Sequence, residues 1–222
     1  MINIFISRDL SPDSVFKQLL AEQGINVIGT SLIEFKPLSF GRFKEVDWIF
    51  FYSKNGVRYF FEGLEQVLLP TIRFATMGIG TAKALQKYGY TAAFIGTGIP
   101  SSTASAFLQI AAQQRVLFPR AKTSQRSIQQ ALGVDLQMEE VIVYTNTPKS
   151  TFQLPVCAYV VFTSPLNVQA YFSKKKLEPG QRIVAIGNTT ALALNEIGFF
   201  TIFVAEKPTE KAMAALILKQ LT

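Results

Sequence analysis

Short runs of β-branched and aromatic residues alternate along the chain with stretches of helical period. INIFI, NVIGTSLIEF, DWIFFY, IRFATM, TAAFI, RVLF, EEVIVY, AYVVF, RIVAI and FFTIFV read as strands. Between them lie helices with recognisable ends. SPDSVFKQLLAEQG has Ser11 placed as N-cap, Pro12 as first helical residue and Gly24 as stop. TAKALQKYG and TTALALNEIG end at Gly89 and Gly198. Strand–helix alternation of this kind predicts an α/β fold, a parallel sheet covered by helices on both faces.

The pattern also repeats. FFYSKNGVRYFF matches VFTSPLNVQAYF, with Ser53 over Ser164, Val57 over Val168 and Phe61 over Phe172. Gly78 then falls over Gly187, Thr81 over Thr190, Leu85 over Leu194 and Gly89 over Gly198, and FISR echoes LFPR, setting Arg8 against Arg120. The chain is a tandem duplication of a unit of roughly 110 residues. LIEFKPLSFGRF and VIVYTNTPKSTFQLP, with most proline and least helical character, are extended enough to be linkers. If both cross between lobes, one lobe is built from residues 38–148 and the other from both chain ends. Pattern alone does not choose this over a simple split near Gln113.

The 222 residues suffice for one large domain or two small ones, and 49% apolar composition argues against disorder. A single cysteine, Cys157, excludes an internal disulfide and points to a reducing, cytoplasmic home. Arg8 and Asp9 come too early for a secretory signal, and the apolar runs fall far short of the ~20 residues of a membrane helix. There is no histidine, which removes imidazole as metal ligand and as general base. The net charge is +7, and no Asp or Glu occurs between Gln66 and Val134, where Arg73, Lys83, Lys87, Arg115, Arg120, Lys122 and Arg126 fall. Such a segment suits an anionic partner or a solvated basic face. No recognition motif or aromatic–basic interleaving supports a nucleic-acid partner.

MGIGTAKAL begins like a dinucleotide turn but fails as one. Lys83 stands where the third Gly or Ala belongs, no acidic residue follows about 20 positions on, and the repeat has Asn188 for the second glycine. GTGIPSST likewise lacks the lysine of a phosphate loop. Both copies share a strand ending in Gly78 or Gly187 and a helix opened by Thr81 or by Thr189 and Thr190. Free amides and a hydroxyl at a helix start make a small anion site, at the strand ends where parallel sheets bind ligands. The alternative is that the threonines only cap their helices. Ser53 and Ser164 repeat the logic, so four strand ends could meet a large ligand with several carboxylates.

In this order and duplication, the N-terminal strand ending in arginine, FYSKNGVRYFF and FTSPLNVQAYF, GIGTAKAL and IGNTTALAL, VIVYTN and AEKPTEKAMAALI resemble the uroporphyrinogen-III synthases. The resemblance covers nearly the whole chain. It implies two flavodoxin-like, doubly wound lobes joined by two extended linkers, and it selects the interleaved assignment: 1–35 plus 152–222, and 38–148, with linkers 36–37 and 149–151. It implies closure of hydroxymethylbilane, a linear tetrapyrrole with eight carboxylates, with inversion of ring D, by a lyase that loses water and uses no cofactor or metal. The bilane loses its terminal hydroxyl to give an azafulvene; the substituted carbon of ring D attacks, and a spiro intermediate fragments and recloses. The protein's duty is then to hold the right conformer. The family's strand tyrosine falls on Tyr144, a neutral phenol able to donate to the leaving oxygen, or else a core tyrosine with a satisfied hydroxyl.

By the same matching, Ser53, Gly78, Thr81, Ser164, Gly187, Thr189 and Thr190 are substrate-binding positions, and the two glycine turns face one another across a cleft. Arg8, Arg120 and Arg126 are carboxylate anchors. Lys54 stands where the second copy has proline, and FPRAK lacks the glycine often seen after the arginine. SKKKLEPG is a solvated loop. The expected partners are the bilane and a transient handover from the enzyme that makes it, with neither membrane nor nucleic acid. The rival reading is a non-catalytic two-lobed binding protein for an anionic small molecule.

Overall fold

A computed structural model of the chain describes residues 2–124, 126–133 and 136–221. The strands are β1 (Asn3–Ile6), β2 (Asn26–Gly29), β3 (Ile33–Pro37), β4 (Trp48–Phe51), β5 (Arg73–Thr76), β6 (Phe94–Ile95), β7 (Arg115–Ala121), β8 (Gln137–Pro148), β9 (Tyr159–Phe162), β10 (Arg182–Ala185) and β11 (Ile202–Val204). The helices are α1 (Val15–Ala21), α2 (Lys54–Glu62), α3 (Ile79–Gln86), α4 (Pro100–Ala111), α5 (Ser127–Leu132), α6 (Pro165–Phe172), α7 (Asn188–Asn195) and α8 (Glu210–Lys219). None is long and apolar enough to cross a membrane among the described residues.

The chain forms two compact units, one of Met1–Glu34 with Thr147–Thr222 and one of Phe35–Asn146. The first unit's sheet runs β2-β1-β9-β10-β11, all parallel. The second runs β3-β8-β7-β4-β5-β6, parallel from β8 to β6. Strand for strand, β8-β7-β4-β5-β6 repeats β2-β1-β9-β10-β11, which is the 2-1-3-4-5 order of doubly wound flavodoxin-like sheets. Each of these five-strand sets therefore takes two strands from one copy of the repeat and three from the other, with β3 added at the edge of the second.

Period-2 alternation on strands buried on both faces explains the layers. Ile4 and Ile6 of β1 pack with Phe16, Leu20, Met213 and Ile217 of α1 and α8, while Phe5 packs with Val168, Tyr171 and Leu194 of α6 and α7. In the second unit Ile49 and Phe51 face α2 and α3, and Trp48 and Phe50 face α4 and α5.

Several boundaries differ from the pattern. The run NVIGTSLIEF is two strands, because the Ser31 amide donates to Asp9 Oδ1 (3.1 Å) and the Leu32 amide to Asn167 Oδ1 (2.9 Å) instead of to a ladder. The N-cap of α1 is Ser14, whose Oγ accepts from the Lys17 amide at 3.2 Å. Ser11 begins a tight turn instead, closed by the Ser14 amide on its carbonyl at 3.0 Å, with Pro12 at the position proline favours. Helices α3 and α7 start at Gly78 and Gly187, so Thr81 and Thr190 are third helical residues and cap nothing. The chain passes between units within β3 and within β8. Residues 36–37 close β3, residues 149–151 follow β8, and Pro37 and Pro148 stand at strand ends, where a missing amide is tolerated.

Candidate functional site

In each unit the strand order reverses at one place, between β1 and β9 or between β7 and β4, and the crevice at the carboxyl ends there is where doubly wound sheets bind ligands. In the first unit this point is locked. The Ser7 amide donates to the Val161 carbonyl (2.9 Å), the Thr163 amide donates to Ser7 Oγ (2.9 Å), and Thr163 Oγ1 donates to the Ser7 carbonyl (2.9 Å). Next in sequence, Arg8 keeps 37% of its side chain exposed and reaches Glu210 only at 4.0 Å. Ser164 caps α6, accepting from the Asn167 amide (3.2 Å) and from Asn167 Nδ2 (2.9 Å).

One strand further, Gly187 caps α7 without a side-chain acceptor, leaving the first-turn amides of Asn188 and Thr189 uncapped. These residues line a cavity of about 570 Å³ with Thr190, Ala205 and Glu206. Of the residues that open the helix, Asn188 and Thr189 are exposed and Thr190 is buried. The positive end of the helix suits a carboxylate. Glu206 lines the same cavity.

The second unit carries a proline at the corresponding point. Pro119 stands where the first has Ser7 and has no amide to donate, so the β4–β7 register ends at Ile49↔Leu117, while the β1–β9 register continues to Ile6↔Val161. The strands part early, and Tyr52 occupies the place of Thr163. Its ring packs on Phe50 and Phe118 (5.8 and 6.0 Å). Its hydroxyl is buried without a well-formed hydrogen bond among the described residues, and burial, offset in part by the nearby Gln129 backbone, holds its ionisation far above the usual phenol range.

Both arginines expected here serve Glu140 of β8. Arg120 donates Nε (2.9 Å) and Nη2 (2.8 Å) to Oε2, and Nη1 to the carbonyls of Ala121 and Lys122. Arg126 Nε (2.7 Å) and Gln129 Nε2 (2.9 Å) share Oε1. Gly78 opens α3 with its first amides uncapped, as Gly187 does in α7, and Thr81 is buried beneath.

Tyr144 and Ser53 come together in this unit. Ser53 caps α2, accepting from the Gly56 amide at 3.1 Å, and its Oγ lies 3.4 Å from Tyr144 Oη. The Tyr144 ring stacks on Tyr59 (5.1 Å, 28°), whose own hydroxyl donates to the Phe35 carbonyl at 3.4 Å. With 7% of Tyr144 exposed, burial raises its pKa and the Ser53 contact lowers it in part. The phenol is neutral at physiological pH.

A family model described as uroporphyrinogen-III synthase HemD matches residues 14–215. The chain belongs to the uroporphyrinogen-III synthase family. The porphyrin biosynthesis protein HemD of Ruminiclostridium josui is 24% identical to it over 97% of this chain and 48% of its own length, so the chain spans about half the length of that curated relative. Uroporphyrinogen-III synthetase from Helicobacter pylori superposes with a TM-score of 0.75 at 23% identity, covering 99% of this chain and all of the other. A mutant uroporphyrinogen-III synthase from Thermus thermophilus gives 0.58 at 15% identity, covering 100% and 98%. At these identities the solved structures speak for the fold.

Within this family frame, the sequence reading missed Tyr52, Tyr59, Gln129, Glu140 and Asn167. A signal for Tyr52 exists in the repeat, which sets it over Thr163 and Pro119 over Ser7. Nothing in one sequence pairs Glu140 with two arginines, since that depends on the β7–β8 register.

Proposed function

We propose that the chain converts hydroxymethylbilane to uroporphyrinogen III, closing the macrocycle with inversion of ring D and loss of one water. The family match over residues 14–215 carries this reading. Tyr144 gives its phenolic proton to the departing terminal hydroxyl, which leaves as water. The resulting azafulvene carbon is attacked by the substituted α-carbon of ring D, and the spiro intermediate fragments and recloses on the other α-carbon. The proton lost as that pyrrole regains aromaticity returns the phenol to its neutral form. Electrons come from the pyrroles themselves, so conformational control is the protein's main contribution.

The carboxylates are met by the uncapped amides after Gly187, by those after Gly78, and by Arg8, with the Thr189 and Ser164 hydroxyls beside them. Arg120 and Arg126 act indirectly, by neutralising Glu140. Because the bilane also closes without enzyme to the uninverted isomer, its supply is a direct handover from the enzyme that makes it. The setting is the reducing cytoplasm, consistent with the one free, buried Cys157. The test couples the chain to a hydroxymethylbilane-producing enzyme and separates the oxidised products. The type III isomer is expected; type I alone would overturn the reading.

A further inference from the structure

The two serine caps at repeat-equivalent positions hold different things. Ser164 Oγ accepts twice from Asn167, whose side chain also accepts from the Leu32 amide, so that serine is built into the fold of the first unit. In the second unit the residue three positions after the serine is Gly56, and an added Cβ there would meet the Pro119 carbonyl at 3.4 Å and Ser53 Oγ at 3.5 Å. No side chain intervenes, and the neighbour of Ser53 Oγ is Tyr144 Oη at 3.4 Å.

A hydroxyl has one hydrogen to give and two lone pairs. One lone pair of Ser53 Oγ takes the Gly56 amide, and its hydrogen is left to donate. The Tyr144 side chain is otherwise held through its ring, by the stack on Tyr59 and contact with Phe35 at 6.1 Å. Ring packing fixes the plane of a phenol but not the direction of its O–H. A donor from Ser53 settles that direction, because a phenolic oxygen accepting on one side turns its own hydrogen to the other. The 3.4 Å separation is long for such a bond, as catalytic hydrogen bonds often are before substrate tightens them.

We propose that Ser53 is a positioning residue: its Oγ–H donates to Tyr144 Oη, so that the phenolic proton points away from the helix cap and toward the leaving hydroxyl of the bilane. This deepens the reading of Tyr144 as proton donor and rests on it. Ser53 thus acts on the substrate through Tyr144 and not by gripping a carboxylate.

The test uses the whole chain labelled with ¹³Cζ-tyrosine, the Tyr144 resonance being assigned by its loss in Tyr144→Phe. Ser53→Gly removes the hydroxyl while glycine still tolerates the cap position, so the fold is retained. It is expected to move the Tyr144 titration to higher pH, and to lower kcat about fivefold with KM within about twofold, the scale of one lost hydrogen bond. Ser53→Thr, which keeps both hydroxyl and cap, is expected to restore both readouts. An unmoved Tyr144 titration in Ser53→Gly, or a loss confined to KM, overturns the positioning role. Full turnover in well-folded Tyr144→Phe overturns the proton-donor reading on which the proposal stands, whatever Ser53→Gly does to the resonance.

Discussion

Arg120 shows 13% of its side chain to solvent and commits all three guanidinium nitrogens, whereas Arg8 is 37% exposed and lies 4.0 Å from Glu210. Truncating Arg120 leaves Glu140, itself 18% exposed, with half its compensation. Arg120→Ala is therefore expected to lose about 2–3 kcal/mol of stability in urea titrations, somewhat below the range for fully buried pairs. Arg8→Ala is expected to stay within about 0.5 kcal/mol of the parent and to show its effect as a raised KM. Equal destabilisation of the two would refute this division of labour. The tyrosines give a second residue-scale expectation. Tyr52, Tyr144 and Tyr171 all have pKa values raised above 10.0 by burial. The folded chain then holds more protons than the unfolded one above that value, so their contribution to stability is fully present below it and lost as pH rises through the folded values. Denaturation midpoints should be insensitive to these groups at neutral pH and fall beyond about pH 10. A midpoint rising there would reverse the sign.

At the scale of elements, the α7 start offers a clean substitution. Gly187 is extended (φ 177°), which suits a following proline, and the Asn188 amide is not needed by the helix because Thr190 and Ala191 donate to the Gly187 carbonyl. Asn188→Pro should keep the thermal midpoint while raising KM about tenfold, the scale of one charge-assisted hydrogen bond. Unchanged KM would remove α7 from the binding surface. The repeat makes these turns readable in the sequence: aligning the chain on itself picks out both glycines and both serines that cap helices, whereas the threonines read there as helix openers are buried third residues that cap nothing. What it hid were features of register and of competing donors. Ser11 and Ser14 are both plausible caps three residues apart, and only the contacts of Ser14 with Lys17 and Glu210 separate them. Likewise nothing in the sequence sets Arg120 and Arg126, matched there as carboxylate anchors, against Glu140, 20 and 14 positions away.

For the molecule as a whole, the duplication and the units do not coincide. Phe35–Asn146 is one continuous stretch holding β4 to β7 and nearly all of β8, whereas the other unit needs β1 to pair with β9, as in Ile4↔Tyr159. A fragment of residues 35–146 is expected to unfold cooperatively on its own, and a single repeat, 1–113, is not. A cooperative transition in the 1–113 fragment alone would contradict the interleaving. The same arrangement sets a schedule on the ribosome. Ile4, Phe5 and Ile6 pair with β2 soon after it is made, yet β9 on their other side is made some 150 residues later, which at ~5–20 residues per second is a wait of roughly ten to thirty seconds. During that time the continuous unit 35–146 can already be complete, while β1 and β2 wait as a pair for the rest of their sheet.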